Sequence, residues 1–223
     1  MSTLLYPTSK PNNDSTLADT HVIFLPNFTN KYFFLFTNFI YFEFRKAFDS
    51  VNHNLLLKKM SSYGVCPSLV SWRASYLFQR SNAVKICGYF PHSYAMPSGV
   101  PQGSTLGPLL FNVFVNDLPL CIKSSHVLQY ADDLKLFHNI SCVLDGHDLQ
   151  SDIDSVVKWC SDNCLNLNTS KTVLISFTRR VIKFNFEYKL NTTCIPRNDV
   201  VRDLGVLLDS SLTFAHHVDY LTL

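Results

Sequence analysis

The chain is short of charge. Asp, Glu, Lys and Arg make up 16% of its 223 residues, against about 25% in an ordinary globular domain. The net charge is only +2, so the basic footprint by which most nucleic-acid-binding proteins hold phosphate is not visible at the level of the whole chain. Composition alone therefore gives no reason to expect such a partner. Also lacking is a run of about 20 apolar residues, the length a membrane-crossing helix needs. The nearest approach is the aromatic run Tyr32 to Phe44, which Asn38 interrupts. It stands too far from Met1 for an ordinary signal peptide. The expectation is no membrane partner and an intracellular location, nuclear or cytoplasmic. Seven cysteines, at 66, 87, 121, 142, 160, 164 and 194, are odd in number and unevenly spaced. Only Cys160 and Cys164 are close, inside a helical pattern, and no further ligands stand at the tight spacing of a zinc site. They read as small core residues in a reducing compartment.

What is present is apolar mass. Hydrophobic residues form 47% of the chain, enough for a sizeable core, and the length suits one domain with at most a small appendage. Residues 1–38 mix Pro, Asn, Thr and Ser before turning Phe-rich, with no clean period, and read as an unassigned leader. Tyr41–Phe44 reads as a short strand. Helices are predicted over about 51–63, stopped by Gly64, and over 67–78, opened by Pro67. Strand pieces at 82–90 and 93–96 flank Pro91. A helix over 106–117 follows a loop rich in Gly and Pro. His126 to His138 reads as two strands joined by an acidic turn. Leu149, Ile153, Val156, Val157 and Cys160 fall on one helical face, and Asp148 and Asp152 suit the N-terminal end of that helix. Strands are expected over 171–178 and near 182–190 and 201–208. The order β-αα-β-α-ββ-α-β predicts an α+β fold of the split βαβ (ferredoxin-like) kind, an antiparallel sheet with helices on one face.

Two segments carry chemistry. Tyr130-Ala131-Asp132-Asp133 sets two carboxylates at a hairpin turn, where short side chains on a rigid scaffold offer the hard oxygen ligands that Mg²⁺ requires. Adjacent aspartates are also common in turns for geometric reasons, so the pair is a weak signal by itself. Ser98-Gly99-Val100-Pro101-Gln102-Gly103-Ser104-Thr105-Leu106-Gly107-Pro108 is a loop with three glycines leading into an apolar helix. Glycine permits close approach of backbone to a ligand, and a helix N-terminus favours phosphate.

SGVPQGSTLGPLLFNVFVNDL followed by YADDLKLF resembles two successive motifs of reverse transcriptases (RNA-directed DNA polymerases) of non-LTR, LINE-type retrotransposons. RKAFDSVNHNLLLKKM upstream, and LNLNTSKTVLISFTRR and VRDLGVLLDSSLTF downstream, are similar to three further motifs of that family in the same order. The resemblance spans about Tyr41 to Phe214. Retron, group II intron and telomerase enzymes are the next family, but SVNHNLLL and the LGV segment favour the LINE-like branch. The resemblance implies a polymerase palm over residues 39–214, with 215–223 the start of a truncated thumb. It further implies two Mg²⁺ ions, or Mn²⁺, and as partners an RNA template, a DNA primer and dNTP, with no obligate protein partner. By the same resemblance, Asp132 and Asp133 match the paired metal ligands, Asp132 the principal one. Glu43 stands at the third metal-ligand position. Phe48 matches the aromatic beneath the nucleotide sugar, and Gln102, Gly103 and Lys46 fall among nucleotide-contacting positions. Lys171 matches a candidate proton donor to pyrophosphate. Leu204 and Gly205 fall in the segment that grips the primer. Read outside the family, Phe48 is plain core and Lys171 a solvated charge.

Two departures from the family pattern matter. Its first upstream motif has Asp where this chain has Glu43, and one extra methylene moves the carboxylate by about an ångström. A misplacement of that size in a preorganised site costs on the order of 10²-fold in rate. Arg45 also replaces a small Ser. No recognisable fingers region stands in residues 1–40. The expectation is thus an impaired polymerase palm lacking fingers, with two alternatives: a catalytically dead remnant of a decayed element, or a non-catalytic nucleic-acid-binding module.

Overall fold

Aromatic and β-branched residues fill FTNFIYFE, and they form the central strand β1 (Phe36–Glu43). The chain is described by a computed structural model over residues 36–78, 80–83, 93–178 and 184–222. After β1 come a first 3-10 turn (Phe48–Ser50) and helices α1 (His53–Ser62) and α2 (Pro67–Leu77). Then follow β2 (Ser81–Ala83), β3 (Ser93–Ala95), α3 (Leu106–Val115), a second 3-10 turn (Leu118–Cys121), β4 (His126–Tyr130), β5 (Asp133–Ile140) and α4 (Val143–Asp162). The remaining elements are β6 (Val173–Phe177), β7 (Lys189–Leu190), β8 (Thr193–Cys194), β9 (Arg197–Asn198), β10 (Val200–Asp203), β11 (Val206–Asp209) and α5 (Ala215–Leu221).

The main sheet has the order β4-β5-β1-β6-β9. All its neighbours run antiparallel except β6 and β9. The first strand lies between the hairpin β4–β5 and β6, and α4 carries the chain from β5 to β6. This is the split βαβ arrangement that the order of elements predicts. One face of the sheet, through Ile40, Phe42, Leu134, Leu136 and Leu174, packs on Leu56, Leu110, Phe111, Phe114, Leu149, Ile153 and Val156 of the helices. Each of these large side chains contributes about 1.5–3 kcal/mol on burial. The opposite face is covered too. Phe39, Ile175 and Phe177 pack against Val201 and Leu208 of the β10–β11 hairpin.

Four expectations need correction. β1 begins at Phe36, not Tyr41, so the leader boundary at 38 falls inside a buried strand. Both faces of β1 are covered, so its sequence has no alternation to reveal it. Asn38, taken as an interruption, is fully buried in this strand. Its Nδ2 donates to the Tyr188 hydroxyl (2.9 Å), and its Oδ1 accepts from the Ser176 hydroxyl (2.6 Å). Residues 201–208 form two strands of a hairpin rather than one, turning at Leu204-Gly205. Finally, α4 begins at Val143, which puts Asp152 in its third turn. There the Asp152 carboxylate accepts backbone N–H groups of Lys123 (2.9 Å), Ser124 (3.0 Å) and Ser125 (2.6 Å), fixing the loop that enters β4. The strand pieces expected at 84–90 and 182–183 lie outside the described residues.

Candidate active site

The β4–β5 hairpin turns on two residues, Ala131 and Asp132, between the cross-strand pair Tyr130 and Asp133. Ala131 takes the left-handed conformation with φ 52°, which costs an L-residue roughly 1–2 kcal/mol. The turn holds Asp132 at the end of the sheet. On the other side of β5, Asp133 stands in register with Glu43 of β1. The sheet thus gathers Glu43, Asp132 and Asp133 at one end, from two adjacent strands. Partial desolvation, and then the Asp132 carboxylate, push the Asp133 carboxyl above the usual carboxylate range; Asp203 and Glu43 add to the rise while Lys135 opposes it. Crowded carboxylates of this kind repel one another and suit a divalent cation with oxygen ligands.

Glu43 does not point free into that site. Its Oε1 accepts from the Lys171 ammonium at 2.6 Å, with both side chains substantially solvated. The loop bearing Lys171 is fastened beside the end of β1. Arg45 N–H donates to the Asn166 carbonyl and Asn168 N–H to the Glu43 carbonyl, each at 2.7 Å.

The 3-10 turn and the glycine-rich loop close on each other. Val100 N–H donates to the Phe48 carbonyl (2.7 Å), and Gly99 N–H to the Val51 carbonyl (2.8 Å). Gly99 has φ +91°, and a Cβ there would lie 2.8 Å from the Asp49 backbone. A Cβ at Gly107 would meet the Pro101 carbonyl oxygen at 2.4 Å. Gly103, with φ +76°, has open space instead. Gln102 Nε2 donates to Asp49 Oδ1 (3.1 Å). Half-buried Phe48 stacks on Phe111 with centroids 4.7 Å apart and so packs against the core. Lys46, with φ 50°, is exposed. A cavity of about 290 Å³ opens here, lined by Asp49, His53, Arg80, Ser98 and Gln102 among others.

Sequence reasoning missed His53, whose Nε2 meets the Gly99 carbonyl oxygen at 2.7 Å and ties α1 to the loop. Nothing in its spacing marked it. Leu204 and Gly205 (φ 45° and 90°) form the exposed tip of the β10–β11 hairpin. Another cluster, His138, Asp145 and Asp148, brings ligand atoms within 4.8 Å of one another. It lies about 17 Å along β5 from Asp133, and Asp145 already accepts the N–H groups of Ser141 and Cys142 as a helix cap. The helix N-terminus there favours carboxylates and opposes a cation, so the cluster is a capped helix start with an adjacent His.

The sequence profile of the family described as Reverse transcriptase (RNA-dependent DNA polymerase) matches residues 37–221. The chain is 30% identical over 193 residues to a probable RNA-directed DNA polymerase from transposon BS of Drosophila melanogaster, covering 82% of this chain and 21% of that protein. It is also 30% identical over 186 residues to the RNA-directed DNA polymerase from mobile element jockey of Drosophila funebris, covering 80% and 20%. The chain spans about a fifth of the length of these relatives. Among solved structures, telomerase of Candida tropicalis, in complex with a fragment of telomeric RNA, shares the fold with a TM-score of 0.58. That match has 13% identity and covers 84% of this chain and 30% of the telomerase chain.

Proposed function

The chain belongs to the reverse transcriptase family, in its non-LTR retrotransposon branch, and from that membership we propose a polymerase palm impaired at Glu43. Its reaction is template-directed nucleotidyl transfer, with an RNA template, a DNA primer and dNTP as substrates. Asp132, Asp133 and Glu43 would hold two Mg²⁺ or Mn²⁺ ions, which when bound activate the primer 3′-hydroxyl and neutralise the triphosphate. Phe48 sits beneath the nucleotide sugar. Gln102 and Gly103 present the loop to the nucleotide, with Lys46 beside them. Lys171 donates a proton to the departing pyrophosphate, and Leu204-Gly205 meets the primer. The palm extends from β1 to β11, and α5 begins the next unit.

The observation that carries the impairment is the contact between Lys171 and Glu43. A carboxylate one methylene too long is held by the ammonium that should face the pyrophosphate, so one ion pair occupies two roles. Primer extension on an RNA template with Mg²⁺ or Mn²⁺ tests this reading. Glu43→Asp is expected to raise extension on the order of 10²-fold, and Asp132→Ala to abolish it. Equal rates for the wild type and the Glu43→Asp variant would remove the impairment. A wild-type signal no higher than that of Asp132→Ala would favour the second reading, a catalytically dead remnant, which the same ion pair supports.

A further inference from the structure

The β10–β11 hairpin belongs to a separate two-stranded sheet, with no strand of the main sheet beside it in register among the described residues. Its apolar contacts, Val201 and Leu208 on Phe39, Ile175 and Phe177, hold it down without direction. At its open end, Thr178 N–H donates to the Ser210 carbonyl (3.1 Å), tying it to the end of β6. At its turn end the link is ionic. Lys135 Nζ pairs with Asp203 Oδ1, and the Tyr41 hydroxyl donates to Asp203 Oδ2 at 3.2 Å. The two charged side chains are 10% and 8% exposed.

That burial is unusual, because a lysine and an aspartate lose several kcal/mol each on leaving water and are retained only when paired with good geometry. Their positions give the pair a use. Lys135 lies two residues beyond Asp133 on the same strand and therefore on the same face of the sheet. Asp203 is the last residue of β10, immediately before the Leu204-Gly205 turn. Tyr41 lies two residues before Glu43 on β1, and Lys135 Nζ stands 5.4 Å from its ring centroid. One carboxylate is thereby bonded to both strands that carry the acidic site.

We propose that Lys135, Asp203 and Tyr41 form a buried clasp that sets the position of the Leu204-Gly205 turn relative to the Asp132–Asp133 pair. In this proposal they are positioning residues, acting through their contacts with one another. The functional half of the proposal rests on the polymerase reading, in which that turn meets the primer. The Thr178–Ser210 hydrogen bond holds the open end of the hairpin, and the clasp fixes its other end. Removing one partner leaves the second charge buried and unpaired, so the turn end must open to hydrate it.

Native-state amide exchange of the full chain tests the clasp without requiring catalysis. Asp203→Asn and Lys135→Met are expected to speed exchange of the 200–209 hairpin amides by about tenfold or more, with β1 and α4 protected as in wild type. If a single variant fails to fold, the double variant Lys135→Met/Asp203→Leu removes both charges at similar volume and is expected to fold. Its hairpin should still exchange faster than wild type, because the direction of the contact is lost. Wild-type hairpin protection in the folded variants would overturn the clasp. In primer extension, Asp203→Asn should raise KM for the primer–template about tenfold and leave KM for dNTP within about twofold. An equal rise in both, or in neither, would overturn the positioning role. A wild-type chain that extends no primer overturns the polymerase reading instead, and exchange alone then decides the clasp.

Discussion

Single carboxylates in this molecule titrate in opposite directions, and their surroundings say why. Burial would raise the Asp209 carboxyl, but N–H groups of Ser211, Thr213 and Phe214 and the Thr213 hydroxyl donate to it and bring it below the usual range. Its folded pKa is depressed, so its contribution to stability is complete above the unfolded value and is lost as the pH falls through the folded one. Asp133 has the opposite sign. Its raised pKa makes the ionised form a liability to the fold at neutral pH, relieved on protonation. Asp133→Asn should accordingly raise Tm at pH 7, with the gain vanishing in acid, while Asp209→Asn lowers it. Thermal melts across pH 3–8 (roughly the carboxylate range and above) check both, and gains of the same sign would refute the assignment. Glycines divide likewise. Gly99→Ala is expected to destabilise by about 3 kcal/mol, since it adds a backbone clash to left-handed strain. Gly103→Ala meets only the strain, about 1 kcal/mol. The loop string revealed that glycine was needed, but not which glycine touches Asp49.

At the scale of elements, α4 shows how a correct pattern can mislead about one residue. The periodicity placed Leu149, Ile153, Val156 and Cys160 on the buried face, where they are. Asp152 falls beside them and is 1% exposed. Its partners are three consecutive amides almost thirty residues upstream, which no helical wheel displays. Asp152→Ala should leave those N–H groups without a buried acceptor and cost about 3 kcal/mol in urea unfolding; a loss below about 0.5 kcal/mol would mean that water replaces the carboxylate. β1 and β10–β11 were harder to read for a related reason. A strand covered on both faces loses its alternation, and a two-residue turn of Leu-Gly between two four-residue strands leaves each strand too short to show a period.

For the whole molecule, the low net charge and the acidic end of the sheet act together. Two lysines at the acidic end of the sheet are already engaged, Lys135, two residues beyond Asp133, by Asp203 and Lys171 by Glu43. Divalent cations should therefore stabilise the folded chain. Adding about 10 mM Mg²⁺ or Mn²⁺ is expected to raise Tm of the wild type by the linkage of binding to folding. The effect should shrink in Asp132→Asn. An equal rise in both chains would place the binding elsewhere, the His138 cluster included.

By itself the sequence determined the order of elements from β1 to β6, the acidic turn, the glycine-rich loop and the membership of the family. Each depends on residues close together in the chain, where period and turn chemistry act directly. Only the tertiary structure decided that Lys171 holds Glu43, that Lys135 and Tyr41 share Asp203, and that Asn38 is a satisfied core residue. Those partners are 128, 68, 162 and, for Asn38 and Tyr188, 150 residues apart. A charge or an amide has no period that announces its partner at such separations. What it will meet is set by which strands the fold lays side by side.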